Sequence, residues 1–184
     1  MRRVQTAAMA HDSELIKKET TMAYKDQLEG DALDNASHLT VFWNIHQDVG
    51  WGCPNRPDDV MLVQFLLKRV MHNYMEYYRL PELPTKKDMV VDGIFGPQTS
   101  KWIRFYQSMM PNYFHQDGKI DAIDGTRKRS TKQHRVYTII MLNIEFADRD
   151  YIYYHDLRMD PTLPSALAQA LTQSMGSASM AAGA

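Results

Sequence analysis

Val91-Asp92-Gly93-Ile94-Phe95-Gly96-Pro97-Gln98-Thr99 reads as a tight turn delivered straight into a helix. Glycine at position 93 reaches a positive φ without the Cβ clash that other residues meet. The Asp92 carboxylate can accept backbone N–H groups two or three residues on, which locks such a turn. Pro97 suits a first helical position, where its missing N–H costs nothing and its φ is already helical. Ile94 and Phe95 are expected to drop into the core, Gly96 to allow close approach at the helix start, and Thr99 to add a hydroxyl in the first turn. Thr99, Trp102, Ile103, Tyr106 and Met110 then share one face of a helix that Pro111 stops.

Upstream, Pro57-Asp58-Asp59 opens a longer helix, with proline tolerated in the first turn and the acids favoured at the positive helix end. Val60, Val63, Leu67, Val70, Met71 and Tyr74 recur at helical spacing. Leu62, Phe65 and Leu66 widen the stripe, which places this helix at the centre of the core. It should end near Arg79, ahead of Pro81 and Pro84. Leu39, Val41, Trp43 and Ile45 alternate through a short β-prone run, and Met89-Val90-Val91 is its expected strand partner. Residues 13–28 read as a helix whose thin apolar stripe needs a partner.

Downstream, residues 117–125 form a second acidic, glycine-bearing turn. A helix from about 131 to 147 follows, with Val136, Ile140, Asn143 and Ala147 on one face. Residues 151–154 extend it or form a short strand. Residues 165–175 read as a last helix of low amphipathicity, and the small-residue stretch 176–184 is expected to be disordered in isolation.

Two motifs in this order carry a resemblance. Asp59-Val60-Met61-Leu62-Val63-Gln64-Phe65-Leu66-Leu67 is followed, after a loop, by Asp92–Thr99 and by a helix ending Phe105-Tyr106-Gln107. The chain resembles the peptidoglycan-binding-domain family. That pattern is an Asp-Val-x-x-(Leu/Val)-Gln-x-x-Leu helix, a variable loop, then Asp-Gly-x-(Phe/Tyr)-Gly-x-x-Thr leading to a helix that ends Phe-Gln. One residue is inserted here into that last pair. The match covers about 55–107 and continues more loosely to 147. The resemblance implies a mainly α, compact three-helix domain with a minor β element. Asp59, Gln64, Asp92, Gly93, Phe95, Gly96, Thr99, Trp102 and Gln107 would build that fold. It also implies binding of peptidoglycan without cutting it, beside cell-wall hydrolase domains or in phage lysis and tail proteins.

Sugar and stem-peptide sites use aromatic faces with a few amide or carboxylate groups. The candidates are Tyr74, Tyr77, Tyr78 and Trp51; Trp102 is read as core. A glycosidase needs two carboxylates about the scissile bond. Glu29-Gly30-Asp31 only faintly echoes the Glu-Gly-Gly motif of phage muramidases, so no catalytic residue and no enzyme activity are expected. His46, His72, His115, His134 and His155 lack metal-ligand spacing, and Asp117, Asp121 and Asp124 do not fit a calcium loop. No metal or cofactor is expected.

Composition narrows the partners. A net charge of −1 over 184 residues makes no global electrostatic case for nucleic acid. Arg127-Lys128-Arg129 and Lys132 read as a solvated loop. Cys53 is the lone cysteine, so no intrachain disulfide forms, and it reads as an inert thiol. No apolar run approaches the roughly 18 residues of a membrane span. No apolar stretch of about 7–15 residues follows the basic start Met1-Arg2-Arg3, so no signal peptide is expected.

The expected organisation is an N-terminal arm over 1–38, a peptidoglycan-binding-like helical domain over 39–157, and a C-terminal arm over 158–184. The functional expectation is a non-catalytic structural component of a phage virion or contractile tail-like assembly, made in the cytoplasm. Its arms would dock on other structural protein subunits. A soluble cell-wall (murein) binding adaptor is the alternative, and a peptidoglycan hydrolase ranks behind both. Neither nucleic acid nor membrane is expected as a partner.

Overall fold

Helices α1 (Pro57–Tyr78), α2 (Pro97–Met109) and α3 (Thr138–Arg149) carry the core. The computed structural model describes residues 23–27, 39, 41–78, 82–111, 115–123 and 136–181. The architecture is mainly α, as expected. α1 is its axis, since every residue from Asp59 to Leu67 is buried. A helix apolar on all sides must be surrounded, and α2, α3 and a C-terminal helix α5 (Ser165–Ala181) all pack on it. A short helix α4 (Tyr151–His155) and a 3₁₀ turn (Leu157–Met159) connect α3 to α5.

Gln64, like Asp59, is a polar exception in the buried part of α1, only 1% exposed. Its Oε1 accepts the backbone N–H groups of Asp92 (3.0 Å) and Gly93 (2.9 Å). Its Nε2 donates to Asp92 Oδ1 (3.0 Å), Ile94 O (3.2 Å) and Thr99 Oγ1 (3.1 Å). Asp92 Oδ1 also takes the Ile94 N–H at 2.9 Å, the turn-locking bond the sequence predicts. Gly93 has φ +76°, and a Cβ there would lie 2.9 Å from Pro57 O. Conformation and space both require glycine.

The arrangement occurs a second time. Gln107, on α2, accepts Gly118 N–H at 2.9 Å and donates to Lys119 O (2.8 Å) and Thr138 Oγ1 (3.2 Å). Asp117 Oδ1 takes the Lys119 N–H at 2.9 Å, and Gly118 has φ +74°. In both copies a buried helical glutamine grips an Asp-Gly turn and reaches a threonine in the first turn of the next helix. The turn at 117–118 therefore directs α3 as the turn at 92–93 directs α2.

A third amide fastens the β element. Strands β1 (Tyr24–Gln27) and β2 (Val41–Asn44) pair antiparallel, Tyr24 opposite Asn44. Asn143 on α3 accepts Trp43 N–H at 2.7 Å and donates to Trp43 O at 3.0 Å, as a neighbouring strand would. Phe42, Trp43 and Asn44 are all buried, so both faces of β2 are covered rather than one. Asp59 holds the chain leaving β2, accepting the His46 and Gln47 N–H groups at 2.9 and 3.0 Å.

Several expectations are corrected. Within 13–28, residues 24–27 form a strand, and 13–22 lie outside the described residues. The partner of β2 is β1, not 89–91. Side chains take the backbone of that segment instead: Met89 N–H goes to Asp88 Oδ1, and Met89 O accepts from Lys68. Ile94 is 69% exposed and points out of the turn, while Phe95 is half-buried. A Cβ at Gly96 would meet nothing, so close approach is not its role. Residues 151–155 are helical, after a break at Asp150 (φ −128°, ψ 50°). The core also runs past both expected domain edges, because Ala23, Leu167 and Leu171 are buried in it. α5 continues through 176–181, where each added residue extends a helix already nucleated by the docked first turns.

Gln64→Leu keeps the helix but strands the Asp92 and Gly93 N–H groups. The expected loss is about 2–5 kcal/mol, read as a lower urea midpoint at unchanged slope. Gln107→Leu should behave alike. A loss under about 0.5 kcal/mol for both would show that the turns hold without the clamps.

Candidate functional site

The C-terminal turns of α1 and the outer side of α3 leave a cleft of about 210 Å³. Val70, Met141 and Ile144 give it apolar walls; Tyr74, Glu145 and Arg149 supply polar groups. Tyr74 Oη donates to Glu145 Oε1 at 2.7 Å. The Tyr106 phenol of α2 approaches the same carboxyl. One acid thus joins α1, α2 and α3.

Burial strips water from the Glu145 carboxyl and pushes its pKa from 4.5 up to about 7. The two phenols favour the ionised form and offset only part of that. Asp148 raises it further and Arg149 lowers it. The Tyr106 hydroxyl is itself pushed well above the usual phenol range, by burial first and by the neighbouring acid second. At the rim, the Arg149 guanidinium lies 4.8 Å from the centroid of the Tyr77 ring, a cation–π contact. Tyr77 is 57% exposed.

Of the four aromatic candidates, Tyr74 lines this cleft and Tyr77 meets it only through the Arg149 guanidinium. The Tyr78 side chain lies outside the described residues. Trp51 belongs to another surface: its Nε1 donates to Ser100 Oγ (3.0 Å) at the start of α2, and its ring meets Phe95 edge-on at 5.3 Å. Trp102 is fully buried, its Nε1 donating to Thr85 Oγ1 at 2.8 Å. Asp59, Gln64, Thr99 and Gln107 are buried and engaged in the clamps and turns, and none lines the cleft. Burial raises the Cys53 pKa, which favours the thiol over the thiolate. The basic stretch at 127–132 lies outside the described residues.

Sequence reasoning passed over Glu145 and Arg149. Both lie on α3 beside its apolar stripe, where a charged residue ordinarily faces water. Nothing in the spacing shows that tyrosines from two other helices converge on Glu145.

The cleft is smaller than the roughly 300–1,000 Å³ of drug-sized ligand sites. It has room for one sugar ring or one side chain, against an aromatic wall, a guanidinium and an acid that changes charge near neutrality. Among the described residues, no group of three or more His, Cys, Asp or Glu could hold a metal ion, and no helix is long and apolar enough to cross a membrane. No protein-family model, curated protein or solved structure matches this chain.

Glu145 also links pH to stability. Its folded pKa lies above its unfolded one, so its contribution is full below about pH 4.5 and is lost as pH rises through about 7. The loss is about 3 kcal/mol at most. Asp58, Asp59 and Asp121 are raised too, all by burial. The difference between wild type and Glu145→Gln isolates the Glu145 part. Urea melts from pH 5 to 8 should show the wild type weakening relative to Glu145→Gln; parallel curves would refute the assignment.

Proposed function

We propose that this chain is a non-catalytic, peptidoglycan-binding-like structural component of a phage virion or contractile tail-like assembly. The single observation that carries the reading is the Gln64 clamp on the Asp92-Gly93 turn. It gives the residues of the motif a joint physical task, the one a shared fold would require of them. Gln107 and its turn repeat that task.

Two further features favour a docking role. Tyr151, Ile152 and Met159 are 60%, 70% and 61% exposed on α4 and the 3₁₀ turn, large apolar side chains of the kind subunit contacts cover. Glu145 and Asp148 stand three residues apart on one helix, so they project side by side rather than from opposite sides of a bound sugar. That supports binding or assembly over hydrolysis. In this reading the protein is made in the cytoplasm and resides in the assembled particle.

The alternative, a murein-binding adaptor, draws on the cleft, where Tyr77, Arg149 and Tyr74 offer an aromatic and charged edge. Pull-down on purified sacculi separates the two. The assembly reading expects no retention, together with co-purification of other structural proteins. Retention that falls at least about fivefold on Tyr77→Ala and Tyr78→Ala would establish the adaptor instead.

A further inference from the structure

The outer face of α2 carries two shallow depressions that share Lys101 and form one trough. Lys86 and Lys87 line one end and Arg104 the other, over an apolar floor that includes Pro84 and Phe105. No carboxylate lines it. All four cations are exposed, and none makes an ion pair with a described residue. Of the acids flanking it in sequence, Asp88 pairs with Lys68 and His72 and Asp117 accepts the Lys119 N–H, while Glu82 stands exposed two residues before Pro84. In a chain of net charge −1 this is a local excess of positive charge.

The trough is also rigid. Gln98 Nε2 donates to Lys87 O (3.2 Å) and Asp88 O (2.8 Å). Thr85 Oγ1 donates to Lys87 O at 2.5 Å and accepts from Trp102 Nε1 at 2.8 Å. The loop that bears Lys86 and Lys87 is thereby fastened to the helix that bears Lys101 and Arg104. Cations on a preset frame over an apolar floor suit a segment that is both acidic and apolar.

The chain contains such a segment. Leu28-Glu29-Gly30-Asp31-Ala32-Leu33-Asp34 holds three acids and two leucines with no lysine or arginine. The acid-rich stretches at 117–124 and 148–156 carry Lys119 and Arg149 among their acids. The segment follows Gln27, which pairs with Val41 at one end of the β1–β2 pair, and about six extended residues span roughly 20 Å at most. That pair packs on α3 and α5, whereas the trough faces outward on α2. We infer that the acidic segment 28–34 of one copy seats in the Lys86, Lys87, Lys101 and Arg104 trough of a second copy. The inference deepens the docking reading above by naming the arm and its receptor.

Sedimentation of the full chain tests it. At about 50 mM salt the wild type should self-associate, and about 0.5 M salt should weaken this at least tenfold by screening. Lys101→Glu with Arg104→Glu, and separately Glu29→Lys with Asp31→Lys, should each yield monomers with unchanged thermal melts. Mixing these two variants should restore association, because each then meets an opposite charge. A wild type that stays monomeric to about 200 μM at low salt overturns the proposal, as does a mixture that stays monomeric. Variants that lower the melting temperature of a monomeric wild type would place the segment on its own trough and likewise overturn it. A monomer that still co-purifies with other structural proteins sinks self-docking and leaves the assembly reading standing.

Discussion

The fold depends on a buried primary amide gripping a turn that has no regular partner of its own. An Asp-Gly turn leaves backbone N–H and C=O groups facing the protein interior, and each would cost free energy if left unpaired. A glutamine side chain presents both donors and an acceptor, so one residue satisfies both kinds of group. Gln64 does this for the turn at 92–94, and Gln107 for the turn at 118–119. A glutamate in either place would lack the donors. At position 64 it would also set a second carboxylate against Asp92. Asn143 extends the solution to a strand, pairing with the backbone of Trp43 from the side of a helix.

The clamps also set the register in which the helices meet. Gln107 reaches Thr138 at the start of α3, and Tyr106, the residue before it, reaches Glu145. Thr138 and Glu145 are seven residues apart, two helical turns along one side of α3. The bond that holds the turn therefore also delivers Tyr106 to the acid. Tyr74 arrives from α1, held close to α3 in part by Arg69, which bonds Asp150 at 2.8 Å and lies against Asp160 and the Phe146 ring. The cleft with its near-neutral carboxyl is a consequence of this shared register.

Much of the frame was legible in the residues. Periodicity placed α1 and α2 nearly end to end, since both begin at a proline and carry wide apolar stripes. The positive φ of Gly93 and the Asp92 bond to Ile94 follow from local chemistry alone. The strand pairing was not legible: the 89–91 run has β-forming residues, yet Asp88 and Lys68 occupy its backbone, and that is a tertiary matter. The repeated clamp was half visible, as a second acidic glycine turn. Its threonine could not be paired with it by spacing, because 20 residues separate Gly118 from Thr138 where 6 separate Gly93 from Thr99.

Local properties belong to the sequence by itself: where helices start, where the chain must reverse, and which face of each helix is apolar. They rest on the covalent restrictions of proline and glycine and on a period of 3.6 residues, which neighbours in the chain suffice to express. Tertiary structure alone decided which polar side chains are buried together. Glu145 on α3 is indistinguishable in sequence from a solvated acid. It becomes an acid with a pKa of about 7 only because the packed helices remove its water, an effect that the phenols of Tyr74 and Tyr106 offset only in part. The same holds for the aromatic candidates: Tyr77 gained a guanidinium partner, while Trp51 was drawn to the start of α2. Desolvation and convergence are properties of the packed molecule, and no stretch of chain carries them alone.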